Sequence, residues 1–376
     1  MRRILILLLT VCIICGGSPS VSAKASPQTV SSHSVVLYEP ESGRVLYAKN
    51  ADVPRPMAST TKLMTALVAV EHLEAGRVIT VPASAVLVEG SSMGLRGGDT
   101  LTVRDLLAGL LLSSGNDAAN TVALLVSGSL DRFAELMNRK AAELGMTDTV
   151  FVTPSGLDEG NHHSTAHDMA LLGAAVLEVP LLAELCALKS TTVHINGSAV
   201  TISNHNRLLH LYKDAVGLKT GYTKKSGKCL VSAATRDGVT LVVASLNGGD
   251  YWNDHIALYE YGFSVTRVVT LPLPVLPTVA VAGGTKARVS VCAAAPQVVL
   301  LDGEAENVRC EWELPPFVWA AGEAGTAIGV LRYRTAERVV AEVPIVTAET
   351  VYERPAIGFA ERWRRQFTRL VTALTR

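Results

Sequence analysis

Residues 56–65 read Pro56-Met57-Ala58-Ser59-Thr60-Thr61-Lys62-Leu63-Met64-Thr65. Pro54 and Pro56 break the chain just ahead of Ser59. From Ser59 to Glu71 the pattern is helical, with Leu63, Leu67 and Val70 on one stripe. Ser59 therefore stands at a helix start, and Lys62, three residues on, shares its face. A serine hydroxyl is a poor nucleophile until a base takes its proton. A lysine is such a base only when burial or a neighbouring cation keeps it partly neutral. The helix start also puts the Ser59 N–H where an oxyanion can form. Taken alone, S-x-x-K reads better as an N-capping serine and a surface lysine.

Two later stretches decide between these readings. Ser114-Gly115-Asn116 follows the apolar run Leu110-Leu111-Leu112. A hydroxyl and an amide on a short loop can relay a proton and hold a substrate amide. Alone, they read as helix capping ahead of Asp117. Lys219-Thr220-Gly221 lies shortly before a strand-like run. A lysine and a hydroxyl at a strand edge suit a terminal carboxylate, and Gly221 lets a substrate approach the backbone. Each motif fixes only two or three residues. All three, in this order, specify a serine acyl-enzyme, and Lys219 is then the cation that could keep Lys62 neutral.

Working outward, Ser34–Glu39 and Arg44–Ala48 form a hairpin about the turn Pro40–Gly43. Helices fit Val103–Leu112, Asp117–Ser127, Leu130–Leu144, Thr165–Val176 and His255–Tyr261. Strands fit Cys229–Ala234 and Thr240–Leu246. Strands at both ends of a helical middle predict an α/β domain with one mixed, mostly antiparallel sheet flanked by helices. Residues 265–350 turn rich in Val, Thr, Gly and Pro. Runs at Arg288–Cys292, Val298–Leu301, Arg309–Glu313 and Val339–Ile345 predict a small all-β domain there. In the tail, Trp363, Phe367, Leu370, Val371 and Leu374 share one helical face, with Arg362, Arg364, Arg365 and Arg369 largely off it. That pattern predicts an amphipathic helix lying in an anionic membrane surface; the competing reading packs it on the β domain. The expected partition is 1–23, 24–264, 265–350 and 351–376.

The first of these segments reads as an export signal. Arg2 and Arg3 precede the apolar stretch Ile4–Cys15, and Val21-Ser22-Ala23 offers a small-residue cleavage site. Cys15 as a lipid-attachment site is disfavoured, because Ile14 before it is not small. The expected location is outside the cytoplasm, at the outer face of the membrane or in the wall space. The whole chain has 34 basic and 34 acidic residues, so losing Arg2 and Arg3 leaves about −2. That balance speaks against nucleic acid as a partner. Of the six cysteines, Cys12 and Cys15 leave with the signal. Four in so long a chain are no disulfide framework. Cys292 and Cys310 share one β-rich region and could pair; the simpler reading is buried free thiols.

The chain resembles the low-molecular-mass penicillin-binding proteins, the serine-type D-alanyl-D-alanine carboxypeptidases. The resemblance rests on the three motifs within longer strings. These are Pro56–Thr65, Ser92-Met93-Gly94-Leu95 with Gly98-Asp99, and Ser114–Ala119. Gly156-Leu157-Asp158 with His163–Ala166 and Asp168-Met169 adds to it, as does Gly217–Thr223. It covers residues 34–262 strongly and 265–350 more weakly. It implies that Ser59 is the acylated nucleophile, Lys62 its base and Ser114 a proton relay. It implies that Asn116 meets the substrate amide, that Lys219 and Thr220 hold the terminal carboxylate, and that the Ser59 and Tyr222 N–H groups form the oxyanion hole beside Gly221. The implied substrate is a peptidoglycan stem peptide ending in D-Ala-D-Ala, β-lactam antibiotics would acylate the same serine, and no metal or cofactor is used. Val216 and Thr153 depart from the family pattern, which often has an acidic residue and an Asn at these places.

Two other functions share these motifs. A β-lactamase would need a deacylating glutamate, and the candidates Glu178 and Glu184 lack an Asn at the usual spacing. A wall-binding or β-lactam-sensing protein that acylates without turnover would carry the same residues. His162, His163 and His167 with Asp158 and Asp168 invite a metal reading, but no H-E-x-x-H is present; loop hydrogen bonding accounts for them better.

Overall fold

Val35, Val36 and Leu37 are all fully buried, which a strand achieves only when both sheet faces are covered. The computed structural model describes residues 29–355 and 358–374. The expected export signal and Cys15 lie outside the described residues. The described chain divides into two units, one running to Val268 and including Val299–Asp302, the other holding Val269–Val298 and the chain from Gly303 on.

In the first unit five strands make one sheet: β1 Ser34–Glu39, β2 Arg44–Lys49, β3 Ala215–Thr223, β4 Gly227–Arg236 and β5 Val239–Gly248. The order is β2-β1-β5-β4-β3, and every neighbouring pair is antiparallel. Alternation along β5 divides its side chains between two cores. Val242, Ala244 and Leu246 join the helical core, while Leu241 and Val243 join the other. Helices α1 Lys62–His72, α2 Val103–Leu111, α3 Asn116–Ser127, α4 Leu130–Glu143, α5 Ala166–Leu177 and α6 Pro180–Ala187 contribute to the helical core. Helix α7, Tyr251–Val265, lies on the other face, where Leu258 and Tyr259 pack with Leu37, Leu241 and Val243.

Helix α1 is the central one. The expected stripe of Leu63, Leu67 and Val70 is too narrow a description: every residue from Lys62 to Ala69 is buried. A helix covered all round is held by packing, not by amphipathicity. Among the elements that escaped the sequence reading are α6, the hairpin Ser190–Ile195 with Ser198–Ser203, and strand β3 itself. The Lys219 motif lies within β3 rather than before a strand. Gly217, Gly221 and buried Lys219 hide its period.

In the second unit, Val279–Ala282 pairs antiparallel with Arg288–Val289 and parallel with Phe317–Trp319. A four-stranded antiparallel sheet follows the order Val291–Cys292, Val339–Thr347, Ala327–Arg334, Arg309–Glu313. Cys292 and Cys310 thus sit on its opposite edges. Three strand spacings put them about 14 Å apart, beyond the roughly 7 Å that a disulfide spans. Both are free; Cys310 is buried, but Cys292 is exposed, so neither the pairing nor two buried thiols holds. Helix α8, Phe359–Leu374, presents Trp363, Phe367 and Val371 at 59%, 63% and 47% exposure. Among the described residues no single helix is long and apolar enough to cross a membrane.

Polar groups between the sheet and α7 are fully engaged. Asp254 accepts from the N–H and hydroxyl of both Ser31 and Ser32, at 2.7–2.9 Å. Buried His255 joins Ser232 Oγ at 2.6 Å and Ser245 Oγ at 2.8 Å. Tyr259 Oη meets the same Ser232 oxygen at 2.6 Å. Burial lowers the His255 pKa to about 3, against about 6.5 in an unfolded chain. The unfolded state therefore binds the extra proton first, so this stability is present above about pH 6.5 and is lost as pH falls toward 3. His255→Gln should cost about 1–3 kcal/mol at pH 7 through the disturbed hydroxyl partners. Its urea midpoint should also fall less steeply than wild type between pH 6.5 and 4. Equal slopes in the two proteins would show that His255 is not the titrating group.

Candidate active site

Ser59 lies in a 3₁₀ turn, Ala58–Thr61, that runs directly into α1. Ala58, just before it, has φ +50°, a conformation that non-glycine residues seldom adopt. The turn is gripped from two sides. A Cβ on Gly221 of β3 would lie 3.0 Å from Ser59 N and from Thr60 N. A Cβ on Gly156, itself at φ +83°, would lie 2.0 Å from Ala58 O. The close approach that Gly221 permits is therefore that of the Ser59 turn itself.

Lys62 has no exposure. Its Nζ lies 2.9 Å from Ser59 Oγ, 2.7 Å from Asn116 Oδ1 and 2.6 Å from the Ser155 carbonyl. The last two are acceptors only, because Asn116 Nδ2 donates to the Glu89 carbonyl at 2.6 Å. A neutral amine must spend its two N–H groups on those oxygens. Its lone pair then faces Ser59 Oγ. Burial lowers the Lys62 pKa well below the usual range, and the Lys219 charge lowers it further; Asp117 opposes them. Burial and the Lys219 charge thus both favour the neutral form of the amine beside the serine hydroxyl.

Lys219, 1% exposed on edge strand β3, is pushed down to about 7 by burial. Its Nζ donates to the Thr220 carbonyl at 3.0 Å. Ser114 is buried at φ +60°, ahead of Gly115, the N-cap of α3. Asn116 is the first residue of α3 rather than part of the loop, and it is committed to Lys62 and Glu89. Tyr222 is exposed at the same edge as Lys219. Every expected site residue therefore belongs to one of three elements: the Ser59 turn with α1, the start of α3, and β3.

Known proteins resemble this chain over most of its length. A family model described as D-alanyl-D-alanine carboxypeptidase matches residues 21–249. The chain belongs to that family. A second model, penicillin-binding protein 5, C-terminal domain, matches residues 274–353. The chain is 38% identical to D-alanyl-D-alanine carboxypeptidase DacB2 of Mycobacterium tuberculosis, over 61% of this chain and 81% of that protein. It is 30% identical to D-alanyl-D-alanine carboxypeptidase DacF of Bacillus subtilis, over 98% of this chain and 100% of that one. The crystal structure of penicillin binding protein 5 from Haemophilus influenzae has a TM-score of 0.68 at 27% identity, covering 88% of this chain and 100% of that chain. The protein is a serine peptidase with the α/β fold and C-terminal β domain of the low-molecular-mass penicillin-binding proteins.

Several residues that serve this carboxypeptidase site were given no role from sequence. Thr153 Oγ1 accepts the Gly156 N–H at 3.1 Å and donates to the Leu157 carbonyl at 3.2 Å. It thereby shapes the turn that offers Ser155 O to Lys62, so the departure from Asn keeps a hydrogen-bonding side chain there. Thr65 Oγ1 ties Pro154 O to α1 at 2.6 Å. His162 accepts the Val152 N–H on Nδ1 at 2.9 Å, so Nε2 carries the proton and meets Thr61 Oγ1 at 2.8 Å. Its two nitrogens are thus both engaged, and burial takes its pKa down to about 4. Glu184 is exposed and pairs with Arg104.

Asp117 matters most among the missed residues. Its carboxylate accepts from Ser92 Oγ at 2.5 Å and from the N–H groups of Met93, Gly94 and Leu95 at 2.9–3.1 Å. It holds the 92–95 turn and supplies negative charge toward Lys62. Sequence showed it only as one letter of the Ser114–Ala119 string. Asp117→Asn would remove that charge and lower the Lys62 pKa further. The acid limb of kcat/KM should then move to lower pH while kcat falls roughly tenfold or more as the turn loosens. An unmoved acid limb would dismiss the electrostatic part of this role.

Proposed function

We propose that this carboxypeptidase works outside the cytoplasm on peptidoglycan stem peptides, removing the terminal D-alanine through a Ser59 acyl-enzyme, and that penicillins acylate the same serine. The observation that carries the reading is the buried Lys62 amine, whose Nζ lies 2.9 Å from Ser59 Oγ. Ser59 Oγ attacks the carbonyl of the penultimate D-alanine as its proton passes to Lys62. The Ser59 and Tyr222 N–H groups receive the oxyanion. Collapse expels the terminal D-alanine, which takes a proton relayed from Lys62 through Ser114. A water molecule, deprotonated by the same groups, then hydrolyses the ester. Lys219 and Thr220 hold the terminal carboxylate, and binding it favours the charged lysine that burial disfavours. Asn116 keeps Lys62 in place and offers its amide to the substrate backbone. A β-lactam presents a carbonyl and a carboxylate to the same groups.

We also propose that α8 ties the enzyme to an anionic membrane surface. Trp363, Phe367 and Val371 recur every four residues and stand exposed together. Arg364 and Arg369 supply charge for anionic head groups.

Ser59→Ala should form no covalent adduct with labelled penicillin and release no D-alanine from a pentapeptide. A stable adduct on that variant would remove Ser59 as nucleophile. Lys219→Arg should keep more activity than Lys219→Ala, since it retains the charge in altered geometry. Amidating the substrate's C-terminus should abolish the difference. Deleting residues 355–376 should leave turnover of a soluble peptide intact and abolish binding to anionic vesicles at low salt; vesicle binding that survives the deletion would discard the anchor.

A further inference from the structure

A recess of about 320 Å³ opens beside the catalytic turn, with Arg55, Pro56, Asn161, His163 and Lys225 on its wall. Pro56 is three residues before Ser59. Lys225 sits in the turn between β3 and β4, three residues beyond Tyr222. No carboxylate lies on this wall among the described residues; exposed Asp158 is near enough to act on His162 but stands outside the lining. Arg55 gives one terminal N–H to His33 Nε2 at 2.7 Å. Its Nε is buried and has no acceptor among the described residues.

The direction of β3 says which part of a substrate comes near this recess. With the terminal carboxylate at Lys219–Thr220 and the scissile carbonyl at the Tyr222 N–H, the substrate chain runs past Thr223. Its upstream residues then approach the 223–227 turn. At about 3.3 Å per residue, Lys225 lies within roughly 10 Å of Tyr222 along this path. A side chain one or two residues upstream of the D-Ala-D-Ala end reaches the recess.

We infer that this recess binds a carboxylate of the donor stem peptide, upstream of D-Ala-D-Ala, through Arg55 and Lys225. The inference rests on the proposed substrate and adds a specificity subsite to it. Lys225 is a surface residue of a turn and touches none of the reacting groups, so its substitution leaves the acylation machinery in place. Arg55 also bonds His33, which makes Lys225 the cleaner probe.

The experiment compares N-acylated peptides ending in D-Ala-D-Ala that carry upstream either a free carboxylate or its amide. One pair places the group on the residue directly before D-Ala-D-Ala, and a second pair on the residue before that. The wild type should prefer the acid over the amide in one pair, which identifies the carboxylate. Lys225→Glu should raise KM for that acid roughly three- to tenfold. Its kcat should be unchanged, as should its kinetics on the amide, and Lys225→Arg should restore the preference. An equal loss on acid and amide, or no loss on either, would overturn the subsite. Turnover of the amide peptides by the wild type tests the proposed function separately: a protein that cleaves them without acid preference keeps that function and loses only the subsite.

Discussion

A single amine, buried in the interior and pushed toward its uncharged form, sets the terms for the rest of the catalytic domain. Lys62 lies on a helix buried on every side, and such burial favours the neutral form of a lysine. Neutrality alone would not give a base. Two acceptor oxygens, from Asn116 and Ser155, take the N–H groups and leave the lone pair to Ser59. The surrounding polar groups are arranged around that demand. Thr153 shapes the turn that presents Ser155, His162 ties that turn to the Ser59 turn, and Glu89 fixes the orientation of the Asn116 amide.

The sheet contributes a second constraint. β3 is an edge strand, so one side of its backbone is open to a peptide. That edge must also press against the Ser59 turn, and the only residue of β3 facing the turn that permits it at such distances is Gly221. Gly156 does the same from the opposite side. The strain at Ala58, with its positive φ, sits between these two contacts. Backbone conformations of this kind persist where the surroundings over-determine them.

Much of the fold was legible. The hairpin β1–β2, helices α1 to α5 and strands β4 and β5 stand out as apolar runs of helix or strand length between turn and breaker residues. What escaped has a physical reason in each case. β3 carries two glycines and a buried lysine, so no apolar alternation marks it. The hairpin Ser190–Ser203 is largely exposed and leaves little pattern. α6 is short and apolar, which periodicity cannot separate from a strand. The pairing offered for Cys292 and Cys310 failed because proximity within a β-rich region says nothing of strand order, and strand order put them on opposite edges.

The sequence by itself determined the reaction's ingredients and their local geometry. Serine and lysine three apart at a helix start, a serine and an amide two apart on a short stretch ahead of a helix, and a lysine, threonine and glycine in one triplet are relations of a few residues. It also marked the amphipathic tail, whose pattern is local. Only the tertiary structure decided the burial and partners of Lys62, because these depend on Ser155 and Asn116, 93 and 54 residues away in the chain. It likewise decided that Asp117 clamps the 92–95 turn, that His162 serves Thr61, and that Arg55 and Lys225 share one recess. Burial, electrostatic neighbours and hydrogen-bond completion are sums over distant residues, and no window of sequence contains them.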